Sequence, residues 1–525
     1  MQALFQNGFL VDGSGGKPRR GDLLIADGRI SRVGGTIGGS FDRVLDCTGL
    51  FVCPGLIDAH SHNDFFYDRE NAARFYRPFV EQGIATQVTG NCSFSPFGVE
   101  PDTPYADKVG GGLFHAVQPG SFAAFKERAR GNLYLNMAPL IGHGTARVSI
   151  SGYDPAPLSA EQLARELRLV DEAMEGGAFG GSFGFMYEPG MYAGREELYA
   201  FASEIAKYDG IVTVHPRACS KVALGYPLLF SRPHIELAFD EVVDIMTHAN
   251  CRMEYSHLIF TGTSSWPSCE PMLKKFHAYN DKGCKIAYDN YSFTYGASVI
   301  TLAMPPWYLA LSPEERRKPA TLRKLRLVIW ATKKLLGLDF SDFTIAYISD
   351  DHKEYEGRLI SDCAREEGLS DFEMYLKLVE LSRAQGRIYV GKYYNDALVR
   401  RLMEDDLSVF MTDAWVEEAG TQNGAAFQCF PYFFVRAREY GIPVENVVRK
   451  MTGATADRFR IPDRGYLREG YAADLTVLDF EGMRVDLKKP DFKPEGIRHV
   501  YINGLPAVLD GQFTGERAGQ VLLKK

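Results

Sequence analysis

The sequence predicts an α/β fold: a TIM-like (β/α)8 barrel with a small β domain built from both chain ends. Three observations carry this reading. The chain has 525 residues, too many for one ordinary domain but suited to a large barrel plus a smaller domain. Its middle alternates short apolar runs with helical stretches, the pattern of parallel strands joined by crossover helices. Its two ends read instead as short strands punctuated by Ser-Gly-Gly, Asp-Gly and Asn-Gly turns.

At the N-terminal end, strands are expected at Ala3–Phe5, Gly8–Val11, Asp22–Ile25, Ile30–Val33 and Arg43–Asp46. At the C-terminal end they are expected at Asp474–Asp479, His499–Ile502 and Pro506–Leu509. Residues 1–53 and 465–525 are therefore assigned to the small domain and 54–464 to the barrel. The eight barrel strands are placed at Leu50–Ile57, Ala85–Thr89, Leu133–Met137, Gly181–Phe185, Ile211–Val214, Arg252–Tyr255, Lys285–Tyr288 and Leu407–Met411. The long gap before the last strand holds an inserted, mostly helical segment over about 295–352. Within it, Ser312-Pro-Glu-Glu315 is a capped helix start. The basic residues Arg316, Arg317, Lys318, Arg323, Lys324 and Arg326 that follow read first as a solvated helix face, with nucleic-acid binding as the second reading.

Composition narrows the function. Hydrophobic residues are 45%, charged residues 24% and the net charge −8, which describes a soluble globular protein with no call for nucleic acid or an anionic membrane as partner. The N-terminus lacks the pattern of a signal peptide, and no apolar run reaches the roughly 18 residues of a membrane span. Nine scattered cysteines without a CxxC pair are expected to be reduced thiols of a cytoplasmic protein. The expected partner is a small-molecule substrate; a homo-oligomer is left open.

The chemistry lies at the C-terminal ends of the expected strands, where barrel enzymes place their reactive groups. With eleven histidines in the chain, the pair His60 and His62 decides little by itself. Its position after Leu56-Ile-Asp58 matters more, because residues two apart on a strand face the same side. Cys92 follows the second strand, His215 ends the fifth, His257 the sixth and Asp413 the eighth. Each has an ordinary alternative as a packed core residue, but six such groups at strand ends form a set. A thiolate with imidazoles favours zinc over magnesium or calcium. Cys92, His215 and His257 would make a tight three-ligand site with one position for water. His60, His62 and Asp413 would form an adjoining weaker site or hold the reacting groups. Asp413 is the expected general base, passing its proton to a leaving nitrogen.

These motifs resemble the amidohydrolase superfamily and, within it, the D-aminoacylase (N-acyl-D-amino-acid deacylase) family, along nearly the whole chain. Pro54-Gly-Leu-Ile-Asp-Ala-His-Ser-His62 is similar to the superfamily's first-strand signature, and Gly90-Asn-Cys-Ser-Phe-Ser95 to the family's cysteine loop. Gly142-His-Gly-Thr145, the segment from Gly177 to Pro189, His215-Pro-Arg217 and the tail from Asp463 to Asp474 are similar too. The resemblance implies a barrel with a β-sandwich and zinc on Cys92, His215 and His257. It also implies a second weak site at His60 and His62, and Asp413 as proton carrier. It implies hydrolysis of an N-acylated D-amino acid, with Tyr187, Arg217, Tyr291 and His143 near the substrate.

The sequence departs from the family where a substrate carboxylate would be held. The usual lysine two residues after the sixth-strand histidine is Ile259, and the segment Thr412–Gly424 contains no arginine. Arg217 or Lys221 would have to substitute; otherwise the substrate is an uncharged amide, a cyclic imide or a differently shaped N-acyl compound. The alternatives are a cyclic-amide hydrolase or deaminase on the same scaffold, and a barrel that binds without catalysis. Phe183–Tyr187 contains no lysine of the kind that bridges two metals in cyclic amidases.

Overall fold

At Gly55 the chain leaves one sheet and enters another. In the computed structural model, which describes residues 2–110, 118–223, 226 and 232–525, the run expected as one strand over Leu50–Ile57 is two. Phe51–Pro54 belongs to the terminal sheet and Leu56–Asp58 to the barrel. The crossover is tight: Gly55 N donates to Asp474 O at 2.7 Å, and a Cβ on Gly55 would stand 2.5 Å from Ala85 Cβ and 3.0 Å from Asp474 Cβ.

The barrel strands are β1 Leu56–Asp58, β2 Ile84–Thr89, β3 Asn136–Gly142, β4 Gly180–Gly184, β5 Ile211–His215, β6 Arg252–Tyr255, β7 Ile286–Asn290 and β8 Ser408–Phe410. They pair in parallel in sequence order. Two backbone bonds span the seam between first and last: Ala59 N to Phe410 O at 3.2 Å and Asp413 N to His60 O at 2.9 Å. Nearly every strand residue is buried, as expected of parallel strands covered by helices on the outside and by side chains within. β3 lies three residues later than the apolar run Leu133–Met137 suggested. Pro139 interrupts the sequence signal there, while the chain's tail pairs with the earlier part: Gly519 N donates to Leu133 O at 2.9 Å and Leu522 N to Met137 O at 2.7 Å.

Strands from both ends merge into one nine-stranded sheet. Its path runs from Gln512–Phe513 through Leu505–Leu509, Ile497–Ile502, Leu475–Leu478, Phe51–Pro54, Gln2–Leu10 and Arg19–Ala26 to Arg29–Val33, with Arg43–Asp46 beside Gln2–Leu10. The expected strands Ala3–Phe5 and Gly8–Val11 are parts of a single strand whose register shifts between Phe5 and Gly8. Phe5, Leu23, Ile25, Val52, Leu475, Val477 and Tyr501 form a core distinct from that of the barrel.

The inserted segment, expected to be mostly helical, contains helices at Pro313–Arg317 and Pro319–Leu336 but also a three-stranded antiparallel sheet. Gly296–Val299 and Phe343–Tyr347 both pair with Arg387–Val390, so the unit continues well past residue 352. Short strands separated by long helical stretches gave no alternating run to read.

We predict that Gly55→Ala lowers stability by about 1–3 kcal/mol through overpacking at the junction, read as a lower denaturant midpoint. An unchanged midpoint would contradict the close approach of the two sheets.

Candidate metal centre

The loop after β2 carries Cys92 into the barrel mouth, and three neighbouring elements hold it there. Ser182 on β4 donates its hydroxyl to Gly90 O at 2.5 Å and accepts from Ser93 N at 3.0 Å. Thr213 on β5 donates to Asn91 Oδ1 at 3.0 Å. The helix His143–Ser151 opens onto Ser93: Gly144 N donates to its hydroxyl at 2.7 Å and Thr145 N to its carbonyl at 3.0 Å, so free N–H groups of the first helical turn are satisfied by this loop. Gly90 has φ +77°, and a Cβ there would lie 1.9 Å from Leu140 O. Cys92 itself has φ 52°, His257 37° and Asp413 43°. Three site residues thus occupy the left-handed region that L side chains avoid, a conformation the surrounding bonds must impose.

The donor atoms converge. Cys92 Sγ lies 3.6 Å from His215 Nδ1, 3.8 Å from His257 Nε2 and 3.2 Å from His60 Nε2. Asp413 Oδ1 is 3.1 Å from His62 Nε2 and 3.3 Å from His60 Nε2. Two sets of cation-binding geometry result, sharing Cys92: Cys92, His215 and His257; and His60, His62, Cys92 and Asp413. A tetrahedral ion with bonds of about 2.3 Å to sulfur and 2.0–2.1 Å to nitrogen separates those donors by about 3.6 Å. The first set matches that spacing, and its donor chemistry suits a borderline-soft cation.

Burial sets the protonation states. All four histidines are shifted below their ordinary value by desolvation, which leaves neutral imidazoles with lone pairs for a cation. Burial pushes the Cys92 thiol well up, and Asp413 adds to the shift; coordination there would release the thiol proton. Burial also acts to raise Asp413, but His60 and His62 beside it hold its carboxyl well below the usual carboxylate range. Tyr291 donates its hydroxyl to the other oxygen of Asp413.

Of the expected substrate-side residues, two are at the centre. Tyr291 bonds Asp413, and Tyr187 donates to Cys92 O at 2.8 Å with its ring 5.0 Å from that of His215. Two are not. His143, the first residue of its helix, is fully buried and turned into the layer between helices and sheet. There Nε2 lies 2.8 Å from Glu197 Oε1 and the ring packs on Phe183 and Phe201; Arg147 and Glu166 complete that charged cluster. Arg217 is committed to Glu241 by bonds of 3.0 and 2.9 Å and to the carbonyls of Phe185 and Met191. Neither therefore faces the metal centre.

The structure adds one residue the sequence did not single out. Asp289 on β7 is fully enclosed, places Oδ2 3.3 Å from His60 Nδ1 and accepts the backbone N–H of His257. One carboxylate thus orients two histidines, leaving His60 Nε2 facing Cys92 and Asp413. Its place at the end of β7 was the available signal. Beneath it Asp58 accepts from Thr412 N at 2.9 Å, Thr412 Oγ1 at 2.6 Å and Gln87 Nε2 at 3.1 Å, tying β1, β2 and the end of β8 together.

Comparison with known proteins finds enzymes of similar sequence and fold. Residues 399–508 match the Amidohydrolase family. The D-aminoacylase of Alcaligenes xylosoxydans xylosoxydans is 27% identical over 532 residues, covering 99% of this chain and 97% of that protein. Over nearly its whole length the chain is similar to D-aminoacylases of the amidohydrolase type. Among solved structures, a D-aminoacylase with a binuclear metal centre superposes with a TM-score of 0.80 at 22% identity, over 99% of each chain. The N-acyl-D-glutamate deacylase of Bordetella bronchiseptica, complexed with zinc and a phosphonate inhibitor, gives 0.79 at 23%, again over 99% of each. These likenesses support a metal-dependent amidohydrolase acting on C–N amide bonds, and the cyclic-amide and non-catalytic readings are not favoured.

We predict that Cys92→Ala removes most of the tightly bound metal, whereas Asp289→Asn weakens metal affinity by about 10–100-fold, both read by metal analysis after dialysis. Full metal retention by Cys92→Ala would remove the thiol from the centre.

Proposed function

We propose that this chain hydrolyses the amide of an N-acyl amino acid of D configuration, or of a related N-acyl compound, with zinc held by Cys92, His215 and His257 and a weaker site at His60 and His62. The observation that carries the reading is the convergence of Cys92 Sγ, His215 Nδ1 and His257 Nε2 next to a carboxylate kept ionised. Bound there, a divalent cation lowers the pKa of a water and polarises the scissile carbonyl.

The chain's own groups do the rest. Asp413, ionised and aimed by the contacts of His62 and Tyr291, accepts the proton of the attacking water and returns it to the leaving nitrogen as the C–N bond breaks. Tyr187, anchored on the Cys92 carbonyl, lines the approach to the cation. Trp415, with its ring 5.7 Å from that of His62, adds an apolar surface that excludes water beside Asp413.

The partner of a substrate carboxylate remains the open element of specificity. Arg217 is spent on Glu241, Ile259 is buried, and Lys221 is an exposed cation on the loop after β5. A panel on zinc-loaded protein therefore compares N-acyl-D-amino acids, their L-enantiomers and the matching carboxamides. Preference for D free acids supports the reading, and cleavage of none of the panel contradicts it.

We predict that Asp413→Asn retains the metal while turnover falls by about 10²–10⁴-fold. Full activity of this variant would remove Asp413 as proton carrier. Chelation is expected to abolish hydrolysis and added zinc to restore it.

A further inference from the structure

The net charge of −8 conceals an uneven distribution of charge along the chain. Residues 316–338 contain eight lysines and arginines and no acid. The same region concentrates exposed apolar surface: of the eleven exposed large apolar side chains among the described residues, six fall between Val299 and Leu335. The rest are spread over other parts of the chain. The two features meet on the helix Pro319–Leu336. Leu325 and Ile329 are buried and fasten one face to the protein. Arg323, Leu327, Trp330 and Lys334, at spacings of four, three and four, share the opposite face. Leu327 is 63% exposed, Trp330 56% and, on the flank, Leu335 52%. Leu327 and Trp330, neighbours at i and i+3, form an apolar patch of the kind that marks an interaction surface. Several cations of the region are used internally: Lys324 sits over the Trp307 ring, Arg326 pairs with Glu373 and Lys333 with Asp339. Arg323 and Lys334 form no ion pair among the described residues.

We propose that this helix face is a peripheral docking surface for an anionic phospholipid bilayer. No described helix is long and apolar enough to cross a membrane, and none is needed. A helix lying in the interface seats tryptophan and leucine at the acyl boundary while lysine and arginine meet the phosphates. A second copy of the chain fits less well. An isologous contact through this face would bring like cations together, and the other exposed apolar side chains supply no second patch to receive it. Docking would bring the enzyme to amphiphilic N-acyl compounds held in the bilayer.

The test is flotation of the full-length, metal-loaded protein with vesicles of phosphatidylcholine alone or mixed with phosphatidylserine. We expect retention on the anionic vesicles at least about tenfold above the neutral ones, lost at high salt. Leu327→Ser with Trp330→Ser, and separately Arg323→Glu with Lys334→Glu, should each reduce it about tenfold, with metal content and circular dichroism unchanged. The proposal is overturned if anionic vesicles retain no more protein than neutral ones, or if both variant pairs bind like the parent. Retention by DNA but not by vesicles also overturns it, as does a dimer that dissociates on Trp330→Ser without vesicle binding.

Discussion

Desolvation at the barrel mouth governs the rest of the site. Four imidazoles, a thiol and a carboxylate share a largely buried space, with His215 and Asp413 partly exposed, and each ionised form must be stabilised by a neighbour. The imidazoles respond by staying neutral. The carboxyl of Asp413 stays ionised through its hydrogen bonds with His62 and the Tyr291 hydroxyl. For the thiol of Cys92, burial and the charge of Asp413 outweigh the relief from Tyr187, and it is pushed up. A cation is the partner that satisfies all three at once: it takes the imidazole lone pairs, stabilises the thiolate and balances the carboxylate.

The scaffold keeps this arrangement in place by supporting its backbone. Cys92, His257 and Asp413 hold left-handed conformations, and each is tied down. The Cys92 loop is gripped by Ser182 and the helix beginning at His143, the His257 N–H by Asp289, and the Asp413 N–H by the His60 carbonyl. The seam between β1 and β8 is thus also where His60 and Asp413 meet. The contacts that close the barrel also bring the centre's residues together, and Gly55, which lets the chain pass between the two sheets, stands just upstream of them.

Much of this was legible in the sequence because the chemistry sits where strands end. A period of two put His60 and His62 on one side, and Cys92, His215, His257 and Asp413 each followed a short apolar run. Asp289 was hidden by its ordinariness: an acid after a strand also marks turns and caps, and only three dimensions show it touching two histidines. His143 and Arg217 turn away from the donor atoms for a different reason. Their motifs fix where the backbone goes, but Glu197 and Glu241, distant in sequence, decide where the side chains point. Likewise, Pro139 masked β3, and although the basic stretch was plain, the exposure of Leu327 and Trp330 beside it was not, because apolar residues in a helix ordinarily read as its buried face.

The central claim is that Cys92 joins His215 and His257 on one cation. Cobalt(II) substituted into the purified protein tests it most directly, because a thiolate bound to cobalt absorbs in the near ultraviolet by charge transfer. The account predicts that band in the parent protein and its loss in Cys92→Ser. A protein that binds cobalt tightly and activates it without the band, or a Cys92→Ser variant that keeps it, would contradict the account.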